Sequence, residues 1–167
     1  DLTGIVGVTG KPWDLDYESL DDRLFIAMTD GNVLVYDNYL GSGNFGSAGP
    51  SRLFAPTDGA PASNLHGIIF NRARNELYLS DVGAATSSAQ AGFDTDGKIF
   101  VVQNANAVGG PAGTQVTAGI SISTGANVRL GNPVDITFDG SNLYVCEKTG
   151  SVATPTDTNK ILIYGNF

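Results

Sequence analysis

The chain has 167 residues, 41% hydrophobic and 16% charged, with 22 Gly and 7 Pro. An ordinary soluble domain carries about 25% charged residues and about 7% Gly, so this chain is short of the Lys and Glu that decorate helices and rich in residues that bend a backbone, which excludes a helix bundle. Its net charge of −8 argues against a nucleic-acid groove or an anionic membrane surface, both of which need clustered positive charge, and no stretch approaches the roughly 20 apolar residues of a membrane span.

Single-residue counts narrow the chemistry further. Cys146 is the only cysteine, so there is no internal disulfide and no thiolate cluster for zinc or iron. His66 is the only histidine, which removes multi-histidine metal sites. The first residue is Asp1 rather than Met, and the composition is rich in Gly, Ser, Thr and Asn without an Asn-x-Ser/Thr sequon. We expect a processed or trimmed chain that is secreted or periplasmic.

Taken in chain order, apolar residues come in runs of four to six between clusters of turn formers, and no 3.6-residue period is sustained. This predicts an all-β fold. Leu2–Val8 reads as an isolated strand. A first unit, residues 11–58, places Pro12–Tyr17, Leu24–Ala27 and Val33–Tyr36 as strands, with a fourth at Ser51–Phe54. A second, residues 62–123, has Leu65–Phe70, Leu77–Asp81 and Gly97–Val102, with a fourth strand somewhere within Gln115–Ile122. A third, residues 131–167, has Pro133–Phe138, Leu143–Glu147 and Asn159–Tyr164. Tyr17, Phe70 and Phe138 occupy matching positions, and the longer second interval is concentrated in the loop between second and third strands.

The recurring "P-x-x-I-x-F/D", "N-x-L-Y-V-x-D/E" and "N/G-K-I-x-V-x" segments, with Tyr36-Asp37-Asn38 and Gly49-Pro50-Ser51-Arg52 before the fourth strand, resemble NHL-type and YVTN-like β-propeller repeats. The resemblance implies three four-stranded antiparallel blades, about half of a six-bladed ring. Residues 2–8 would then complete an adjacent blade, and the ring would close through a homodimer or through missing sequence. An open array would leave unprotected strand edges.

In such a meander Asp14, His66 and Asp135 near the starts of first strands share a rim with Asp81 and Glu147 at the ends of second strands and with the loops 82–96 and 148–158. Asp14, Asp81, Asp135 and Glu147 are candidate oxygen ligands for calcium. Equally, each carboxylate is a candidate turn cap that accepts backbone N–H groups. Met28 stands where Asp81 and Glu147 stand, unless the first unit slips by two residues. Asp94-Thr95-Asp96-Gly97 is similar to the start of a calcium loop but lacks the later ligands, and reads as a turn.

Trp13, His66 and Val134 occupy equivalent places at the channel mouth. His66 is either a ligand group or a half-buried imidazole bonded to a turn, and Trp13, Tyr17, Tyr39 and Phe45 are candidates for stacking on a sugar or peptide, although aromatic residues within strands mostly fill the space between sheets. Tyr17, Phe70, Tyr78, Phe100, Phe138 and Tyr144 read as core, and Cys146 as a buried thiol. Glycines at 41–49 and 109–113 do not form a phosphate loop. The expected function is a non-catalytic module binding an extracellular protein or glycan through its acidic rim. The alternatives are a calcium-dependent lactonase-like hydrolase or lyase and a purely structural assembly repeat.

Overall fold

The computed structural model describes residues 5, 7–43, 49–83, 96–110, 113–123, 130–148 and 159–166. The all-β reading holds. The first sheet is built from β1 (Pro12–Glu18), β2 (Arg23–Met28), β3 (Val33–Asp37), β4 (Arg52–Thr57) and β8 (Thr114–Thr117), in that order across the sheet. The second has β5 (Leu65–Asn71), β6 (Glu76–Asp81), β7 (Lys98–Gln103) and β9 (Ile120–Ser123). The third has β10 (Pro133–Phe138), β11 (Asn142–Glu147) and β12 (Lys160–Gly165). Within each sheet the first three strands form an antiparallel meander, held by short turns whose left-handed residues include Asp22, Asn75 and Gly140.

The sheets stack in a row by burying alternate side chains. Phe25, Ala27, Val33 and Val35 of the first sheet meet Leu77, Leu79, Phe100 and Val102 of the second in one core. Tyr78, Ile99 and Val101, on the opposite side of the second sheet, meet Ile136, Leu143, Val145 and Leu162 of the third. Side chains of this size each contribute roughly 1.5–3 kcal/mol when fully buried, so these two seams dominate the stability of the described fold. On the outer side of the first sheet, Ile5 and Val8 pack over Leu24, Ile26, Met28, Leu34 and Leu53.

The expected propeller is not what the chain forms, and the NHL-type resemblance does not carry its architecture. The three sheets have five, four and three strands, and none closes into a ring. The first is mixed, because β8 runs parallel to β4, pairing Phe54 with Thr114 and Thr57 with Thr117. The single fourth strand expected within 115–122 is in fact two strands separated by Ala118-Gly119. The earlier one crosses to the first sheet, and only β9 pairs with β7.

Arg52 explains the crossing. Its guanidinium bonds Asp37 and also donates to the carbonyls of Ala105 and Val108 at 3.1 and 2.6 Å, tying the connection after β7 to β4. Leu53 then pairs with Gly110, and Gly113 (φ +77) turns the chain into β8. The repeat signal encodes hydrophobic runs and local turns. It carries no information about these long-range carbonyl contacts.

Three packing expectations are also corrected. Cys146 is exposed rather than buried, Tyr17 is 37% exposed rather than core, and Tyr144 lines an open groove beside Cys146, where its hydroxyl donates to Asp139. All three lie on end faces of the row, where no further sheet covers them among the described residues. Of the expected strand at 2–8, only Ile5, Gly7 and Val8 are described, and the Val8 N–H bonds the Ile5 carbonyl in a turn. Phe45, Asp94, Thr95 and most of the loops 82–96 and 148–158 lie outside the described residues.

Candidate functional site

Each sheet's first strand carries one extra residue near its start. Pro12 pairs with Met28 but Asp14 with Ala27, so Trp13 is the unpaired residue. Pro133 pairs with Glu147 and Asp135 with Cys146, which leaves Val134 unpaired. In β5 the shift falls between Leu65 and Ile68, at His66-Gly67. A bulge breaks the pairing ladder and re-aims a side chain; here it does so at three equivalent positions.

The bulges bring Trp13 and His66 together. Their rings stack with centroids 3.8 Å apart and planes 14° from parallel. Trp13 stays 58% exposed, so its other face is open to solvent, whereas His66 is only 8% exposed and its Nδ1 has no hydrogen-bond partner. Burial, reinforced by the charge of Lys148, pushes the imidazole down to about 4, so it is neutral at physiological pH. Trp13, Asp14, Val134 and Asp135 line a recess of about 160 Å³ between β1 and β10. Gly67 permits that convergence, because a Cβ there would lie 2.8 Å from the Ile136 nitrogen.

The carboxylates divide into two groups. Asp81 and Glu147 are buried and turned onto the chain entering their own sheets. Asp81 accepts the N–H groups of Ser63, Asn64 and Gly83, each at 2.9 Å. Glu147 accepts those of Gly131 and Asn132 at 3.0 and 2.6 Å. Burial pushes the Asp81 carboxyl up in spite of its three donors.

The first sheet has the same latch, two residues beyond Met28. Asp30 accepts the N–H groups of Thr9 and Gly10 at 2.6 and 2.7 Å. Burial alone would raise the Asp30 carboxyl, but these donors outweigh it and hold the group low. The two-residue slip in the sequence was the signal for Asp30.

Asp14 and Asp135 form the second group, at the recess. Each accepts the N–H of the following residue at 2.8 Å. Asp14 also reaches across to the Ile68 N–H at 3.1 Å, and Asp16 likewise to the Phe70 N–H at 2.6 Å. Asp16 is a structural residue that the motif reading passed over; its signal was the acidic alternation Asp14, Asp16, Glu18. Among the described residues no three His, Cys, Asp or Glu side chains come together as a metal-holding group. Asp14, Asp81, Asp135 and Glu147 share one end of the sheets, but their oxygens do not converge there.

No family model matches the chain. No curated protein matches it. Fifteen chains among solved structures do. One is the crystal structure of the computationally designed Ika4 protein, with a TM-score of 0.44 and 10% identity over 92% of this chain. The chain spans 64% of the length of that structure.

Proposed function

We propose that the chain is a non-catalytic binding module that takes its ligand at the recess beside Trp13. The observation that carries this reading is the set of three strand bulges, which stacks an exposed indole on a buried neutral imidazole and places it next to Asp14 and Asp135. An open indole face and two carboxylates attract the same kind of group. The ring quadrupole favours a cation over its face, and carboxylates accept from guanidinium or ammonium donors. The matching ligand is a cationic group on a protein partner, an arginine above all, and the net charge of −8 steers such a partner toward the chain.

A hydrolase needs a nucleophile with a base or a metal that polarises a carbonyl. The buried carboxylates Asp81 and Glu147 instead accept backbone N–H groups.

Trp13 is the only tryptophan, so its emission reports on this site alone. Titration with an Arg-rich peptide should change that emission saturably, weaken with added salt, and be lost in Asp135→Asn. An equal response to a neutral oligosaccharide, or none to the peptide, would overturn the assignment.

A further inference from the structure

Two of the three sheets carry a fourth strand along the outer edge of their third strand, and among the described residues the last sheet does not. β4 pairs with β3, setting Phe54 opposite Val33 and Arg52 opposite Val35. β9 pairs with β7, setting Ile122 opposite Ile99 and Ile120 opposite Val101. β12 ends its sheet, and no described strand lies along its second edge. Register through the middle strands makes Ile161 the counterpart of Val33 and Ile99, and Ile163 the counterpart of Val35 and Val101.

This edge is poorly guarded. Proteins blunt an edge strand with proline, bulges or several charges. β12, Lys160–Gly165, has no proline, pairs with β11 without a shift of register, and carries one charge, on Lys160. Its Ile161 and Ile163 are 59% and 63% exposed, whereas Val33, Val35, Ile99 and Val101 are buried. A regular apolar edge of β-branched residues is a template for a further strand.

The second sheet shows what kind of strand fits. β9 fills its fourth place with an Ile-x-Ile segment, Ile120 and Ile122, running antiparallel to β7. β12 has the same segment in Ile161 and Ile163. Two β12 strands laid antiparallel about Leu162 set Ile161 opposite the partner's Ile163, and Ile163 opposite the partner's Ile161, so the aliphatic pairs of β7 and β9 recur. Lys160 falls opposite the partner's Tyr164, which keeps the two like charges apart. Leu162 keeps its place against the second sheet, so the core need not rearrange. We propose that β12 pairs antiparallel with β12 of a second copy, joining two three-stranded sheets into one of six strands. The edge is its own complement, so the contact is isologous and closes at two chains.

Sedimentation equilibrium over a concentration series tests this, with amide exchange read at the same concentrations. Wild type should rise from the 17.3 kDa of one chain to twice that mass and stop there, while exchange slows in β12 and not in β9. Ile161→Lys and Ile163→Asp should each hold the mass at one chain, with unchanged circular dichroism. Combined in one chain, the two substitutions oppose unlike charges across the twofold, and association should return. Leu20→Asp, at a residue 75% exposed in the turn after β1, should behave as wild type. A single-chain mass at every concentration overturns the proposal and leaves the edge to a strand of another protein. Growth beyond two chains, association lost in Leu20→Asp, or a folded combined variant that stays single also overturns it. So does a doubled mass without slower exchange in β12, which puts the contact elsewhere.

Discussion

Replacing Glu147 distinguishes a structural latch from a metal ligand. The side chain is 2% exposed and accepts two buried N–H groups, those of Gly131 and Asn132. Glu147→Ala leaves both donors without an acceptor, and each buried orphan costs about 1–3 kcal/mol. The expected loss is about 2–6 kcal/mol, a large part of the roughly 5–15 kcal/mol that holds a domain together. Glu147→Gln keeps one oxygen and sets an NH₂ against the other donor, so its loss should be about half as large. Urea unfolding in EDTA reads both, as a fall in midpoint with an unchanged slope. Asp30→Asn, at a half-exposed latch, should cost less than Glu147→Gln. An EDTA stability of Glu147→Ala within about 0.5 kcal/mol of wild type, together with calcium stabilisation seen only in wild type, would refute the latch and restore the cation reading.

Three further outcomes follow from specific contacts. His66 is held neutral, so the unfolded chain takes up a proton below the ordinary 6.5 while the folded chain waits until about 4. Stability should therefore fall as pH drops through that window, by at most about 3 kcal/mol, and His66→Phe should remove this slope. Asp81, pushed up by burial, acts in the opposite sense, gaining stability as pH falls through its raised value, so comparing His66→Phe with wild type isolates the imidazole. Gly67→Ala should cost about 1–3 kcal/mol in a thermal melt, as overpacking does, because its Cβ meets the Ile136 nitrogen and the Asp135 Cα at 2.8 and 3.0 Å. Arg52→Ala should free the carbonyls of Ala105 and Val108 and speed amide exchange in β8 more than in β5. Equal protection of the two strands would contradict the anchoring role given to Arg52.

Local features of this fold are legible in the sequence, because hydrophobic runs and turn residues act over a few positions. The runs at 12–17, 65–70 and 133–138 are first strands, and Trp13, His66 and Val134 are equivalent. The capping alternative considered for Asp81 and Glu147 is the arrangement found. What depends on distant backbone was not legible. Arg52 sends β8 to the first sheet by reaching carbonyls more than fifty residues away, as between Arg52 and Ala105, and no repeat pattern encodes that. The end-face exposure of Tyr17 and Cys146 follows from the row ending, whereas an apolar alternation signals burial on both sides. Ring closure was inferred from the number of units, and unit count fixes neither strand number nor the way sheets are arranged.

The central claim is that bulged first strands seat a buried, neutral His66 beneath an exposed Trp13. The most direct test follows the emission of this single tryptophan against pH, with circular dichroism confirming that the chain stays folded. The account predicts one transition centred near 4, when the imidazole beneath the indole gains its charge. A transition near the ordinary 6.5, or an emission unchanged by His66→Phe, would contradict it.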